Sequence, residues 1–313
     1  MTTQSVAVPG AAVQAGPSLR ERLANATPFI VLIPSIIATL IYVFVFTGWT
    51  IYISLTKSAM FPVAAWQGPK AYSDLWSNAR WIIAYHNLFL YSVLYVVGAM
   101  AIGLTLAILI DQRVRAESMW RTIFLYPLAV SFVVTGTVWG WLYSPDSGIQ
   151  ALVRDLGWTN FTFALTTSKD TAIYAIVLTG IWQSSGFAMA LFLAGLRAVD
   201  PDIIKAAHID GAGPFRTYSK VILPTIRPIF IAVLVVLLQF AIKTFDLVVA
   251  LTAGGPGLAT TFPALYVYDM MFQRGQIAQG AAAAMMILAA LAIVLIPYAF
   301  YLVWRRRREA RNV

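Results

Sequence analysis

Apolar residues in this chain neither alternate nor recur as a single helical stripe; they fill whole runs. Six such runs, 29–53, 87–110, 123–143, 172–196, 229–251 and 279–304, hold 21 to 26 residues each. About 20 apolar residues in a helix cross a bilayer. Each run is apolar on all sides, whereas a surface helix would keep one polar face. A soluble bundle of buried helices is the alternative, but six such runs leave no helix to form its surface. The pattern predicts an all-α, polytopic membrane protein with six transmembrane helices.

Composition sharpens this picture. Of 313 residues 60% are hydrophobic and 11% charged, against roughly 25% charged in a soluble globular chain. With no cysteine and only His86 and His208, the chain offers no disulfide, thiolate site or histidine cluster for a transition metal. Residues 1–27 are small and polar, with Pro9, Gly10 and Pro17, and read as a disordered tail. No basic stretch precedes a short apolar core, and the first run is too long for a signal-peptide core, so it is expected to be a retained span.

The formal net charge is +9, and its placement decides what it means. With both termini in the cytoplasm, fifteen of the 22 basic residues fall on the inner side. They are Arg20 and Arg22; Arg113, Arg115 and Arg121; Arg197, Lys205, Arg216, Lys220 and Arg227; and Arg305 to Arg308 with Arg311. Six lie in outer loops and Lys243 lies within a run. This asymmetry orients a membrane protein. The run 305–308 abuts Trp304 and reads as an anchor to lipid headgroups, with 305–313 a basic cytoplasmic tail. No nucleic-acid partner is expected.

Motifs of self-contained chemistry are missing. There is no G-x-x-x-x-G-K-[ST] loop, G-x-S-x-G or H-E-x-x-H. Paired acids or histidines at span ends are missing too, so the chain is not expected to be an enzyme. Transport is the remaining default for a polytopic chain with a few buried charges. Lys243 and Asp246, three residues apart, would share one face of the fifth span, with Gln239 one turn before Lys243. They are either a mutually neutralised structural pair or part of a hydrated path. Trp182 and Gln183 in the fourth span are further path candidates, though a tryptophan there also suits packing.

The most informative stretch is 200–228, D-P-D-I-I-K-A-A-H-I-D-G-A-G-P-F-R-T-Y-S-K-V-I-L-P-T-I-R-P. Asp200 can cap a helix, Pro201 fits its first position, and Gly211 can end it in the left-handed conformation. A second short helix from about 214 to 220 leads to Pro224 and Pro228. With Ala206 and Ala207 exposed, the first helix would let a partner's groove approach closely; otherwise it lies flat against its own bundle.

This stretch resembles the EAA loop of permease subunits of binding-protein-dependent ABC importers of the carbohydrate type. That pattern is E-A-A, two residues, D-G-A, then a hydrophobic stretch closing on L-P. Ala206, Ala207, Asp210, Gly211, Ala212, Ile222, Leu223 and Pro224 match it. Two flanking stretches are also similar to these permeases: W-Q-S-S-G-F-A-M-A-L-F-L-A-G-L (182–196) and F-D-L-V-V-A-L-T-A-G-G-P-G (245–257).

The resemblance implies the type I ABC importer permease fold over 28–304, with 200–228 as the ATPase-coupling loop. It implies a second permease subunit, two ATP-binding subunits that hold ATP and Mg, an extracytoplasmic solute-binding protein and a sugar substrate. No cofactor is expected in this chain itself. The 245–257 stretch is slightly closer to monosaccharide permeases, of the glucose or mannose type, than to disaccharide ones. One departure stands out: Lys205 occupies the position where the family carries an acid that pairs with a basic residue of the ATPase. The second permease is therefore expected to be a different chain that keeps the acid. The rival readings are an ion-coupled carrier or channel using Lys243 and Asp246, and a scaffold that recruits a cytoplasmic partner.

The outer stretch at Gly254, Gly255, Pro256 and Gly257 would fold back into the bundle, meet the binding protein, or simply turn. The alanines 281–284, with Ala289, Ala290 and Ala292, offer a close-packing face to a second permease or an adjacent span.

Overall fold

A computed structural model describes residues 32–112 and 114–309. The tail at 1–27, the first residues of the first run, Arg113 and residues 310–313 lie outside them. All extended elements are helices, and the only bridge among the described residues is an isolated one between Thr56 and Trp66.

The first span, α1, is Leu32–Ser54, carrying a π-helical turn at Ile41–Val45. Its first part belongs to a compact unit ending at Thr50, and the rest of the chain forms a second. In that second unit, α2 is Lys70–Ser77 and α3 is Ala79–Asp111. Next come α4, Glu117–Ala129, and α5, Phe132–Leu142. A short helix α6, Ile149–Asp155, precedes α7, Ala172–Arg197. The loop helices are α8, Pro201–Ile209, and α9, Pro214–Thr225, the latter π-helical over Tyr218–Ile222. Then follow α10, Arg227–Ile242, α11, Asp246–Leu251, α12, Pro263–Tyr268, and α13, Ile277–Glu309.

Four helices are long and apolar enough to cross a membrane: α1, α3, α7 and α13. The count rises to six when two bent pairs each form one span, α4 with α5 (96°) and α9 with α10 (68°). The first bend breaks the third run, the second lies just before the fifth, and the fifth run is broken separately at residues 243–245. Pro127 cannot donate to the i−4 carbonyl and crowds it, so α4 ends two residues later. Ser131 then restarts the chain as an N-cap, its Oγ accepting from Val133 N at 3.3 Å. In the fifth run α10 stops at Ile242 and α11 begins at Asp246.

The core of the second unit is the packing of α3 against α7, to which α4, α10 and α11 add. Lipid tails are as apolar as leucine, so close approach rather than water expulsion holds such helices together. Gly103 provides it: a Cβ there would lie 2.8 Å from Met189 N and 2.9 Å from Ser185 O. Around this contact Ala99, Ala107, Ala188, Met189 and Phe192 are fully buried. Tyr91 and Tyr95 stack at 5.1 Å, and Tyr95 donates to Ser184 Oγ at 2.7 Å. Paired in this way, the hydroxyl costs the apolar core little.

Gly103→Val drives a branched side chain into the α7 backbone and should cost about 2–3 kcal/mol. Detergent-solubilised protein should unfold at clearly lower temperature and lose its monodisperse elution. Gly48→Ala, with nothing within 4 Å of the added Cβ, should do neither; equal behaviour of the two would contradict the α3–α7 contact.

Candidate functional site

Two features concentrate chemistry. The first lies where the breaks of the third and fifth runs meet. Helices α5 and α11 pack on each other and both touch α7. A cavity of about 230 Å³ opens there, lined by Phe132, Phe240, Lys243, Thr244, Phe245, Asp246 and Leu247. Phe132 opens α5, and residues 243–245 are the break before α11.

The expectation that Lys243 and Asp246 share one helical face is corrected by this break. Lys243 is the C-cap of α10 and Asp246 the first residue of α11. No ion pair joins them among the described residues, and both are exposed to the cavity. Each charge instead suits the helix end that holds it, lysine at the negative C-terminus and aspartate at the positive N-terminus. Gln239 is half-buried one turn earlier, and its carbonyl accepts the Lys243 N–H at 3.2 Å.

Gln183 proves to be a brace. It is buried, and its Nε2 donates at 2.8 Å to the carbonyl of Val130, which the end of α4 leaves free. Its Oε1 and the Oγ1 of buried Thr135 have no hydrogen-bond partner among the described residues. Trp182 is partly exposed and packs edge-on to Trp139, centroids 5.6 Å apart. Thr244 Oγ1 donates to Phe240 O at 2.9 Å across the other break. Phe132, Phe240 and Thr244 escaped sequence reading, because nothing in an unbroken apolar run marks which residues a break will expose.

The second feature is the α8–α9 loop. Asp200 caps α8, accepting from Asp202 N at 2.9 Å. Gly211, at φ +76°, ends it, and the Ala212 N–H returns to Ala207 O at 3.0 Å. That six-to-one closure needs the left-handed residue which glycine supplies without strain. Ala206 is exposed, but Ala207 is buried at 9% exposure, so only one of the two alanines faces outward. A helix has two sides: Ala207 belongs to the side turned toward its own chain. Asp210 is exposed, Ala212 half-buried, and Leu223 packs on the core beside the half-buried Pro224. Lys205 pairs with Asp202 at 2.8 Å on the exposed face.

Two large apolar side chains missed from sequence stand out here. Ile209 is 86% and Phe215 87% exposed, flanking the D-G-A turn. Their mark in the sequence is apolar residues beside a turn that caps a charged helix.

At the other end of the helices, the stretch after α11 folds back on α3. Asn87 Nδ2 donates to Ala259 O and Thr261 O, both at 3.0 Å, and lies 3.5 Å from Leu258 O. Thr260 Oγ1 closes the turn onto Gly255 O at 2.7 Å. Arg80 pairs with Asp269 at the same end. Of the alanines in the sixth run, Ala281, Ala282 and Ala283 are buried, and Ala283 packs with Trp81 and Tyr266. Those positions face this chain's own helices.

Comparison with known proteins agrees with this geometry. The family described as the inner membrane component of binding-protein-dependent transport systems matches residues 9–309. A probable ABC transporter permease protein of Pyrococcus horikoshii is 36% identical over 288 residues, covering 91% of this chain and 98% of that protein. A xylose/arabinose import permease protein of Haloferax volcanii is 34% identical, covering 74% and 73%. A chain of a bacterial ABC transporter for the acidic polysaccharide alginate shares the fold, with TM-score 0.74 and 21% identity over 92% of this chain and 98% of its own. The chain belongs to the family of binding-protein-dependent transport system inner membrane components, and it is a multi-pass membrane protein.

Gln183→Leu leaves the Val130 carbonyl unpaired in an apolar setting, which should cost about 1–3 kcal/mol. The detergent-solubilised variant should unfold at lower temperature. An unchanged melting profile would mean that the α4–α5 break does not depend on this brace.

Proposed function

We propose that this chain is one permease subunit of an ATP-driven sugar importer that carries a monosaccharide such as glucose or mannose. The cavity at the crossing of the two broken spans carries this reading. About 230 Å³ equals about seven or eight water volumes, room on the order of one hexose ring. A sugar needs both donors and acceptors for its hydroxyls and rings for its apolar faces. Lys243, Asp246 and Thr244 supply the first, and Phe132, Phe240 and Phe245 the second. The unpartnered Gln183 Oε1 and Thr135 Oγ1 by the α4–α5 break would suit a hydrated path. Relatives named for xylose/arabinose and for glucose fit this reading, beside others named for trehalose/maltose and for sn-glycerol-3-phosphate.

Both termini lie in the cytoplasm in this reading, as the basic tally favours. The α8–α9 loop docks on an ATP-binding subunit that holds ATP and Mg. Ile203, Ala206, Ile209 and Phe215 form an exposed apolar face around the charged residues that set register. A second, different permease completes the path, two ATP-binding subunits serve the pair, and an external binding protein delivers the sugar. Closure of the ATP-binding subunits draws the loops together and turns the spans from inward-open to outward-open. An ion-coupled carrier is the weaker reading, since Lys243 and Asp246 sit on separate helices rather than in one coupled pair.

Four variants test this in the assembled complex. Asp210→Lys with Gly211→Glu should abolish co-purification of the ATP-binding subunit, and Phe215→Ala should weaken it by at least about 2 kcal/mol. Retained association would sink the docking role. Lys243→Ala should keep the complex intact while uptake of labelled sugar falls; unchanged uptake at limiting sugar would remove that residue from the path. Lys205→Glu should leave transport largely intact, because among the described residues Lys205 pairs with Asp202 on an exposed face, and loss of ATPase association would show that the lysine itself docks.

A further inference from the structure

At the basic end of the helices, six side chains join in one polar knot, five of them from four helices and the sixth from Gln112 just after α3. Asp111 is the last residue of α3. Its Oδ2 accepts from the hydroxyl of Tyr218, on α9, at 2.7 Å. Its Oδ1 lies 3.9 Å from Nε of Arg197, the last residue of α7. The same guanidinium donates at 2.8 Å to Glu117, the first residue of α4, which also faces Arg121 at 3.6 Å. Gln112 adds a second bond to the Tyr218 hydroxyl, at 2.8 Å. The knot balances two acids against two arginines.

What the knot joins is informative. Helices α3, α4 and α7 belong to spans, while Tyr218 belongs to the loop that follows the D-G-A turn. Above the bond, a cavity of about 390 Å³ separates the end of α3 from α8 and α9, lined by Ile204, His208, Pro214 and Thr217 among others. Across that gap the direct polar ties from α9 to the span ends, among the described residues, are the Tyr218 bonds to Asp111 and Gln112. Tyr218 also opens the π-helical stretch Tyr218–Ile222, an irregularity that one-turn insertions leave at functional positions. Ile204, Tyr218 and Leu223 pack on the apolar core and Ile222 is buried in it, so non-directional packing already holds the loop, and the Tyr218 bonds add a directional polar tie.

We infer that Tyr218 is a positioning residue that ties the docking loop to the spans through Asp111. A pull on α8 and α9 passes through the hydroxyl to the carboxylate, and from there through Arg197 and Glu117 to α7 and α4. Three span ends then move as one body. The inference rests on the docking reading above and adds the path by which the movement leaves the loop.

The test uses the complete importer, with both permeases, the ATP-binding subunits and the binding protein, in proteoliposomes. Sugar uptake and phosphate release are measured together, and subunit stoichiometry is measured by co-purification. Tyr218→Phe removes one oxygen and keeps the ring. A hydrogen bond to a charged acceptor biases a two-state equilibrium by about tenfold. Sugar carried per ATP should therefore fall by about that factor while ATP-binding subunits stay bound at full stoichiometry and hydrolysis continues. Asp111→Ala, which leaves no side-chain acceptor for the hydroxyl, should lower the same ratio, and the double variant should lower it little further than Asp111→Ala alone, because the Tyr218–Asp111 bond is lost in either case. An unchanged ratio in Tyr218→Phe, or fully additive losses in the double variant, would overturn the inference. Loss of ATP-binding subunits from Tyr218→Phe would also overturn it, since the hydroxyl would then serve docking. Failure of the unaltered chain to bind them would instead strike the docking reading itself.

Discussion

A helix broken inside an apolar layer frees carbonyls and N–H groups that neither lipid nor hydrocarbon side chains can satisfy. The rest of this structure follows from how those groups are met at the two breaks. Gln183 reaches from α7 to the Val130 carbonyl, Ser131 caps the restart of α5, and Thr244 returns to Phe240. Because the breaks are satisfied from within, they need no filled core around them, and the space between them remains open. That space holds the one lysine that the sequence buries in a run, together with the aspartate three residues on. The break explains their tolerance there, since each sits on the helix end whose partial charge opposes its own.

The two ends of the spans are tied differently. At one end, Asn87 secures the stretch after α11 through backbone carbonyls, and Arg80 pairs with Asp269. At the other, the ties are side chain to side chain, through Asp111, Arg197, Glu117 and Tyr218. The backbone clamp depends on where a loop sits. The side-chain knot can be reset by small rotations, which suits an end that must pass on movement.

Much of this was legible in the sequence. Run length gave the all-α class and the number of spans, and Asp200, Pro201 and Gly211 marked both ends of α8. The breaks were harder, because hydropathy averages over them. Pro127 and Ser131 carried one signal, yet proline is often accommodated within a membrane helix, as Pro297 is in α13. The polar Lys243-Thr244 pair before Asp246 carried the other, and helical spacing favoured placing lysine and aspartate on one face. The short helices α2, α6 and α12 are too short to register as spans. Exposure of Ile209 and Phe215, and burial of Ala207, depend on how α8 lies, which spacing within one helix does not determine. The Asp111–Tyr218 bond joins residues 107 positions apart, a distance over which no local pattern speaks.

The central claim is that this chain moves sugar through work done on its loop by an ATP-binding partner. The most direct measurement is uptake of labelled monosaccharide into proteoliposomes holding the assembled importer, with its binding protein outside and nucleotide inside. The account predicts uptake that needs enclosed ATP and stops with vanadate, and that is indifferent to collapse of proton and sodium gradients. Uptake driven by an ion gradient alone, without ATP and unaffected by vanadate, would contradict it.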